Sequence, residues 1–194
     1  MFVYISCSSK NQGFVNVVKE AVEDFNKENQ NVKIEYFFPP NAGASGGIRI
    51  SDNIRKILDA DLVVFDLTPD SDDNEDECGN CINSGVLIEF GIIYSLLLIK
   101  ERTQLLLSYT YLSSGIQINT PDLLIFLSDK CKKSNFTPIL SGDFSIISYN
   151  LSNKEFLKKQ IKEKIIKRVN FKLSPNTTLP NSQSPFSVSD LGYH

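Results

Sequence analysis

The hydrophobic positions change period several times along the chain, and each change marks an element. Phe2–Cys7 is a compact apolar run of β type, closed by the small polar residues Ser6, Cys7, Ser8 and Ser9. Beyond it Phe14, Val17, Val18, Ala21, Val22 and Phe25 recur at helical spacing, with Lys19, Glu20, Glu23 and Asp24 between them. That pattern predicts an amphipathic helix over about residues 12–28. Val32–Phe38 alternates as a strand and stops at Pro39-Pro40, and the glycine-rich loop Asn41–Gly47 follows. Ser51 or Asp52 is placed to cap a helix whose apolar positions are Ile54, Ile57, Leu58 and Ala60. Leu62–Leu67 is continuously apolar apart from Asp66, as expected of a strand covered on both faces.

A polar, acidic loop separates that strand from a second apolar run, Val86 to Ile99, interrupted only by Glu89, Gly91 and Ser95. Asn83 or Ser84 can cap a helix running to about Lys100, and its apolarity predicts that it is largely buried. Gln104–Tyr109 reads as a fourth strand, Thr120-Pro121-Asp122 as a helix start, and Leu123–Leu127 as either helix or strand. Phe144–Tyr149 reads as a short terminal strand. Lys154–Val169 reads as a basic amphipathic helix with Phe156, Leu157, Ile161, Ile165 and Ile166 on one face. Residues 173–194 are rich in Ser, Pro and Asn and are expected to form a flexible tail after one domain over residues 1–172. No internal repeat is visible. Strands alternating with helices predict a three-layer α/β fold with a mainly parallel, five-stranded sheet. In such sheets ligands bind beyond the carboxyl ends of the strands, where the strand order reverses. The expected crevice is lined by Ser6–Ser9, the loop after Phe38, Asp66–Thr68 and the start of the Glu89 helix.

Composition narrows the function classes. The 194 residues are 41% hydrophobic and 22% charged, the profile of a soluble globular protein. Asp70, Asp72, Asp73, Glu75, Asp76 and Glu77 account for the sign of the net charge: without these six, the balance of −3 becomes +3. No overall charge marks a protein that binds nucleic-acid polymers, while a small phosphorylated ligand is compatible. The first residues lack a basic segment and a long apolar core, and no run reaches the length of a membrane span. Cys7, Cys78, Cys81 and Cys131 are too few and too scattered for a secreted disulfide framework, so a reducing cytoplasm is the expected setting.

Glu89 is the leading chemical candidate. A carboxylate in so apolar a segment is costly unless it is paired, protonated or beside a solvated cavity. Near a sugar it can attack, or stabilise, the electron-poor carbon that forms when an N-glycosidic bond breaks. Gly85, one turn earlier on the same face, leaves room for a ligand. The structural alternative is a Glu that reaches solvent from the first turns of its helix, where negative charge is favoured. Asp66, near the carboxyl end of its strand, can orient ribose hydroxyls or make a turn contact through Thr68. Ser6, Cys7, Ser8 and Ser9 can offer hydroxyls and backbone N–H groups to a phosphate, or simply form the turn into the first helix. A Cys7 nucleophile lacks a histidine partner, since the single histidine is His194 in the tail. Ala42–Gly47 fits neither phosphate-binding glycine pattern and reads better as a mobile loop. Cys78-Gly79-Asn80-Cys81 has no second pair for zinc, and Asp70-x-Asp72-x-Asn74 lacks the glycine and final Glu of a calcium loop, so no metal is assigned.

In series, the segments IRKILDADLVVFDLT (ending at Thr68) and NSGVLIEFGIIYSL (beginning at Asn83) resemble TIR-like and nucleoside 2-deoxyribosyltransferase-like proteins. The resemblance spans about residues 1–150 and is most specific from Asp61 to Ser95. It implies a flavodoxin-like sheet and makes Glu89 the catalytic carboxylate that cleaves the bond between ribose and base. Ser6–Ser9, Asp66, Thr68, Asn83 and Gly85 then line the substrate site. The family asparagine usually lies four residues before Glu; here that position is Gly85, and Asn83 is six before. The resemblance implies an NAD-cleaving hydrolase in bacterial defence or signalling, with NAD as substrate and no separate cofactor. It also implies a homo-oligomer and allows a separate sensor protein. The alternatives are a deoxyribosyltransferase or nucleotide N-glycosidase using the same Glu, and a non-catalytic nucleotide-sensing or TIR-type interaction module.

Overall fold

A computed structural model describes residues 1–39, 46–69, 82–110, 120–131 and 145–173. In chain order its elements are β1 (Phe2–Ser6), α1 (Gln12–Glu28), β2 (Glu35–Phe37), α2 (Gly46–Leu58), β3 (Leu62–Asp66), α3 (Ser84–Thr110), β4 (Asp122–Ser128) and β5 (Ile146–Tyr149). A 3-10 turn over Leu151–Asn153 then leads into α4 (Lys154–Leu173). The strands form one sheet in the order β2-β1-β3-β4-β5, every neighbouring pair parallel. This is the flavodoxin-like order, and its reversal lies between β1 and β3.

Alternation along the strands divides the interior into two cores. Val3 and Ile5 of β1, Leu62 and Val64 of β3, and Leu124 and Phe126 of β4 pack with Phe14, Val18 and Val22 of α1 and with Leu157, Ile161 and Ile165 of α4. Tyr4, Val63, Phe65, Ile125 and Leu127 face the other way and pack with Ile57 of α2 and Val86, Phe90 and Ile93 of α3. The all-apolar stretch of β3 follows directly, because both of its faces are covered. No helix among the described residues is long and apolar enough to cross a membrane.

Several elements differ from the sequence reading. Gln104–Tyr109 is not a strand: α3 runs 27 residues through it, about 40 Å at 1.5 Å per residue. A short apolar run reads equally well as strand or buried helix, and no Gly or Pro between Lys100 and Gln104 stops the helix. Asp122 opens a strand, not a helix; Pro121 sits before the ladder, where its missing N–H costs no strand hydrogen bond. Ser51 and Asp52 lie inside α2, which starts earlier, at Gly46, so the last two residues of the expected glycine-rich loop belong to the helix.

Helix α3 is also less buried than its composition predicts. Val86, Phe90 and Ile93 are buried, but Leu87, Ile88 and Ile99 are 43%, 49% and 52% exposed. A helix in an outer layer can press only one stripe against the sheet, whatever its other sides carry. In α4 the buried stripe is Leu157, Ile161, Ile165 and Val169, spaced four apart, while Phe156 and Ile166 flank it and stay exposed. The rest of the glycine-rich loop, the acidic loop with Cys78 and Cys81, and the tail beyond Leu173 lie outside the described residues.

Candidate functional site

Two elements on one side of the switch point, β1 and α2, converge on Glu89, which α3 carries. β1 contributes two hydroxyls, because Tyr4 and Ser6 are two residues apart and share a face. Tyr4 Oη donates to Glu89 Oε1 at 2.8 Å, and Ser6 Oγ donates to Oε2 at 2.7 Å. From α2, Asn53 Nδ2 donates to Oε1 at 3.2 Å. Asn53 lies one turn before the buried Ile57, so the face that packs against the sheet carries this amide towards α3. Glu89 therefore does not extend into bulk solvent from its second helical turn; it is half-buried and held from three directions.

Burial raises the Glu89 carboxyl above the ordinary glutamate range, and the hydrogen bonds from Ser6, Tyr4 and Asn53 pull it back down in part. Burial, and next the negative charge of Glu89, push the Tyr4 phenol far up, so it remains a proton donor. An ionised carboxylate has about four acceptor positions. Among the described residues three are filled, two on Oε1 and one on Oε2, which leaves one position on Oε2 for a ligand or water.

Asp66 does something different. It ends β3 on the opposite face from Glu89, in line with Leu62 and Val64, and is 1% exposed. Its Oδ1 accepts from the backbone N–H of Thr68 at 3.0 Å and from Thr68 Oγ1 at 2.5 Å. Its Oδ2 accepts from Tyr149 Oη at 3.0 Å and from Asn11 Nδ2. Asn11 also donates to Tyr149 Oη at 2.7 Å, and its Oδ1 caps α1 by accepting from Phe14 N. Thr68 Oγ1 in turn accepts from Ser128 N at 2.9 Å. With all four acceptor positions filled, Asp66 has none for ribose. It clasps α1, β3, β4 and β5 together. Burial raises its carboxyl to about 6 against the pull of these donors.

The remaining sequence candidates divide between turn and cap. Ser8 is buried, accepts from Lys10 N through Oγ at 3.2 Å, and accepts from Asn11 N through its carbonyl at 3.0 Å. Ser9 is exposed and its carbonyl accepts from Gln12 Nε2. These contacts form the turn into α1, so of the four small residues only Ser6 reaches Glu89. Cys7 is a half-buried thiol outside any disulfide, and it donates to the Ser8 carbonyl at 3.4 Å. Cys131 is disulfide-bonded, a feature that the cysteine spacing did not predict. Asn83 is the N-cap of α3: its Oδ1 accepts from Gly85 N at 3.0 Å and its carbonyl from Leu87 N at 3.0 Å. A β-carbon at Gly85 would sit 3.1 Å from that Oδ1 and crowd the cap. Asn83 and Gly85 thus fix where the helix begins, and so where Glu89 lies along it.

The sequence reading missed Tyr4 and Asn53. Both carried a signal: a hydroxyl two residues before Ser6 in a buried strand, and an amide on the apolar face of α2. Compared with known protein families and with curated proteins, the chain matches none.

Proposed function

We propose that the protein is an N-glycosidase of the TIR-like kind that cleaves NAD between nicotinamide and ribose. One observation carries this reading: Glu89 stands at the switch point of a flavodoxin-like sheet with both oxygens oriented and, among the described residues, one acceptor position on Oε2 unfilled. In the reaction the C1′–N bond breaks and its electron pair returns to the nicotinamide ring, which neutralises the pyridinium. Oε2 faces the positive charge that develops at C1′, either as an electrostatic partner or as a nucleophile forming a glycosyl ester. Water then supplies the hydroxyl at C1′ and releases a proton. Tyr4, Ser6 and Asn53 are positioning residues, since they act through Glu89.

Incubation of the protein at high concentration with NAD, and separately with deoxynucleosides, tests the proposal by following free base chromatographically. Release of nicotinamide by wild type and not by Glu89→Gln supports it. Base release from deoxynucleosides alone, with the same dependence on Glu89, moves the assignment to a deoxyribosyltransferase or nucleoside N-glycosidase. Equal behaviour of wild type and variant on every substrate sinks the enzymatic reading and favours a non-catalytic nucleotide-binding or interaction module.

A further inference from the structure

We infer that the cleft between α4 and the amino-terminal ends of β3 and β4 binds a small organic phosphate. The cleft measures about 260 Å³ and is lined by Leu62, Leu123, Leu124, Asp122, Lys164, Lys167, Arg168 and Phe171. It lies at the opposite end of the strands from Glu89: Leu62 and Asp122 begin β3 and β4, whereas Ser6 ends β1. Its volume is just under the usual range for ligand pockets, which suits a compact occupant.

Charge decides the sign of that occupant. Three cations meet one carboxylate, and that carboxylate is already engaged, with Asp122 Oδ2 3.2 Å from Arg168 Nη1. Lys164 and Lys167 have no ion-pair partner among the described residues. The Nε–H of Arg168 is buried and has no acceptor among the described residues, although a buried guanidinium N–H left unpaired is costly. Basic residues near the end of a helix also offset the partial negative charge of its last carbonyls. That role needs no cleft, and it does not account for a donor buried without a partner. A phosphoryl group supplies several acceptor oxygens and two negative charges, matched to an arginine and two lysines that line the cleft.

The rest of the occupant is flat and apolar. Leu62, Leu123 and Leu124 are the apolar part of the lining. Phe171 is 41% exposed, and its ring centroid is 5.5 Å from the Arg168 guanidinium carbon. Leu62 and Leu124 are already buried as the floor of the cleft, so the surface a ring attached to the phosphate would cover is that of Phe171, which a bare phosphate leaves wet.

Calorimetric titration of the full chain with phenyl phosphate, inorganic phosphate and phenol tests the site; phenyl phosphate has no N-glycosidic bond and so cannot be a substrate at Glu89. Phenyl phosphate is expected to bind more tightly than inorganic phosphate, and phenol to give no measurable heat. The double variant K164Q/K167Q is expected to weaken binding about tenfold, as is R168K, which keeps the charge but removes the planar fork of donors. Glu89→Gln is expected to bind phenyl phosphate as wild type does, even if it releases no base. No binding to wild type, binding unchanged in K164Q/K167Q, or binding lost in Glu89→Gln would each overturn the assignment. Loss of base release in wild type with binding intact would remove only the proposed activity.

Discussion

Asp66, buried, and Glu89, half-buried, are two carboxylates beside the same reversal of strand order, and they differ in one further, countable respect. Asp66 has four donors for four acceptor positions; Glu89 has three among the described residues. Asp66 draws its donors from the turn before α1, the turn after β3, and β5, so it joins elements that are far apart in sequence. Glu89 draws its donors from β1 and α2, which hold it in place and, among the described residues, leave part of Oε2 unoccupied. Burial raises both carboxyls, so a raised pKa alone does not separate a clasp from a reactive group. Counting unfilled acceptors does. The comparison also corrects the expectation that Asp66 and Glu89 line one crevice: an even spacing along β3 puts Asp66 with Leu62 and Val64, facing α1 and α4, while Glu89 belongs to the other layer.

The largest expected effect falls on Glu89. Glu89→Gln should reduce base release by roughly 10³-fold or more while the unfolding midpoint stays close to wild type, since the amide keeps the shape and one acceptor. A variant that lost stability instead would make Glu89 a second clasp. The converse holds for Asp66→Ala, which leaves the donors of Asn11, Thr68 and Tyr149 unpaired and should cost roughly 2–4 kcal/mol in denaturant unfolding. Base release per folded molecule should change little.

The pH dependence of stability sharpens the same contrast. The Asp66 carboxyl is raised from 3.8 to about 6 on folding, so between those values the native state binds the proton that the unfolded chain has lost. Its contribution to stability is therefore full below pH 3.8 and is lost as the pH rises through about 6. The loss is at most roughly 3 kcal/mol by the conversion of pKa difference to free energy. Chemical denaturation from about pH 4 to 7 should show this fall in wild type, and a flatter profile in Asp66→Asn.

A smaller effect is expected from Tyr4→Phe, which removes one donor to Glu89 without emptying the core. Base release should fall roughly 10- to 100-fold. Because that donor holds the Glu89 carboxyl down, the acid limb of the pH–rate profile should move to higher pH. An unchanged limb would mean that Glu89 does not need to be ionised. The smallest effect is expected from Thr68→Val, about 1–2 kcal/mol of stability through loss of the hydroxyl that links Asp66 to Ser128 N. Its rate of base release should match wild type.

Much of this was written in the chain itself. The spacing of Phe14, Val17, Val18, Ala21, Val22 and Phe25 gives α1 its limits, because a long amphipathic period has only one reading. The apolarity of Leu62–Phe65 requires a strand covered on both faces, and the isolation of Glu89 in an apolar helix singles it out as the residue to explain. Short apolar runs have no such unique reading, so whether Gln104–Tyr109 extends a helix or forms a strand was decided by the fold. The pairing of groups was decided there too. Tyr4, Asn53 and Glu89 are brought together by strand order and helix packing, and Asp66 is turned away from them by the alternation of a strand whose register the sheet sets. Local sequence determines what a segment prefers and which side chains it carries; only the closed sheet determines which donors reach which acceptor, and therefore which carboxylate is left with an acceptor position to use.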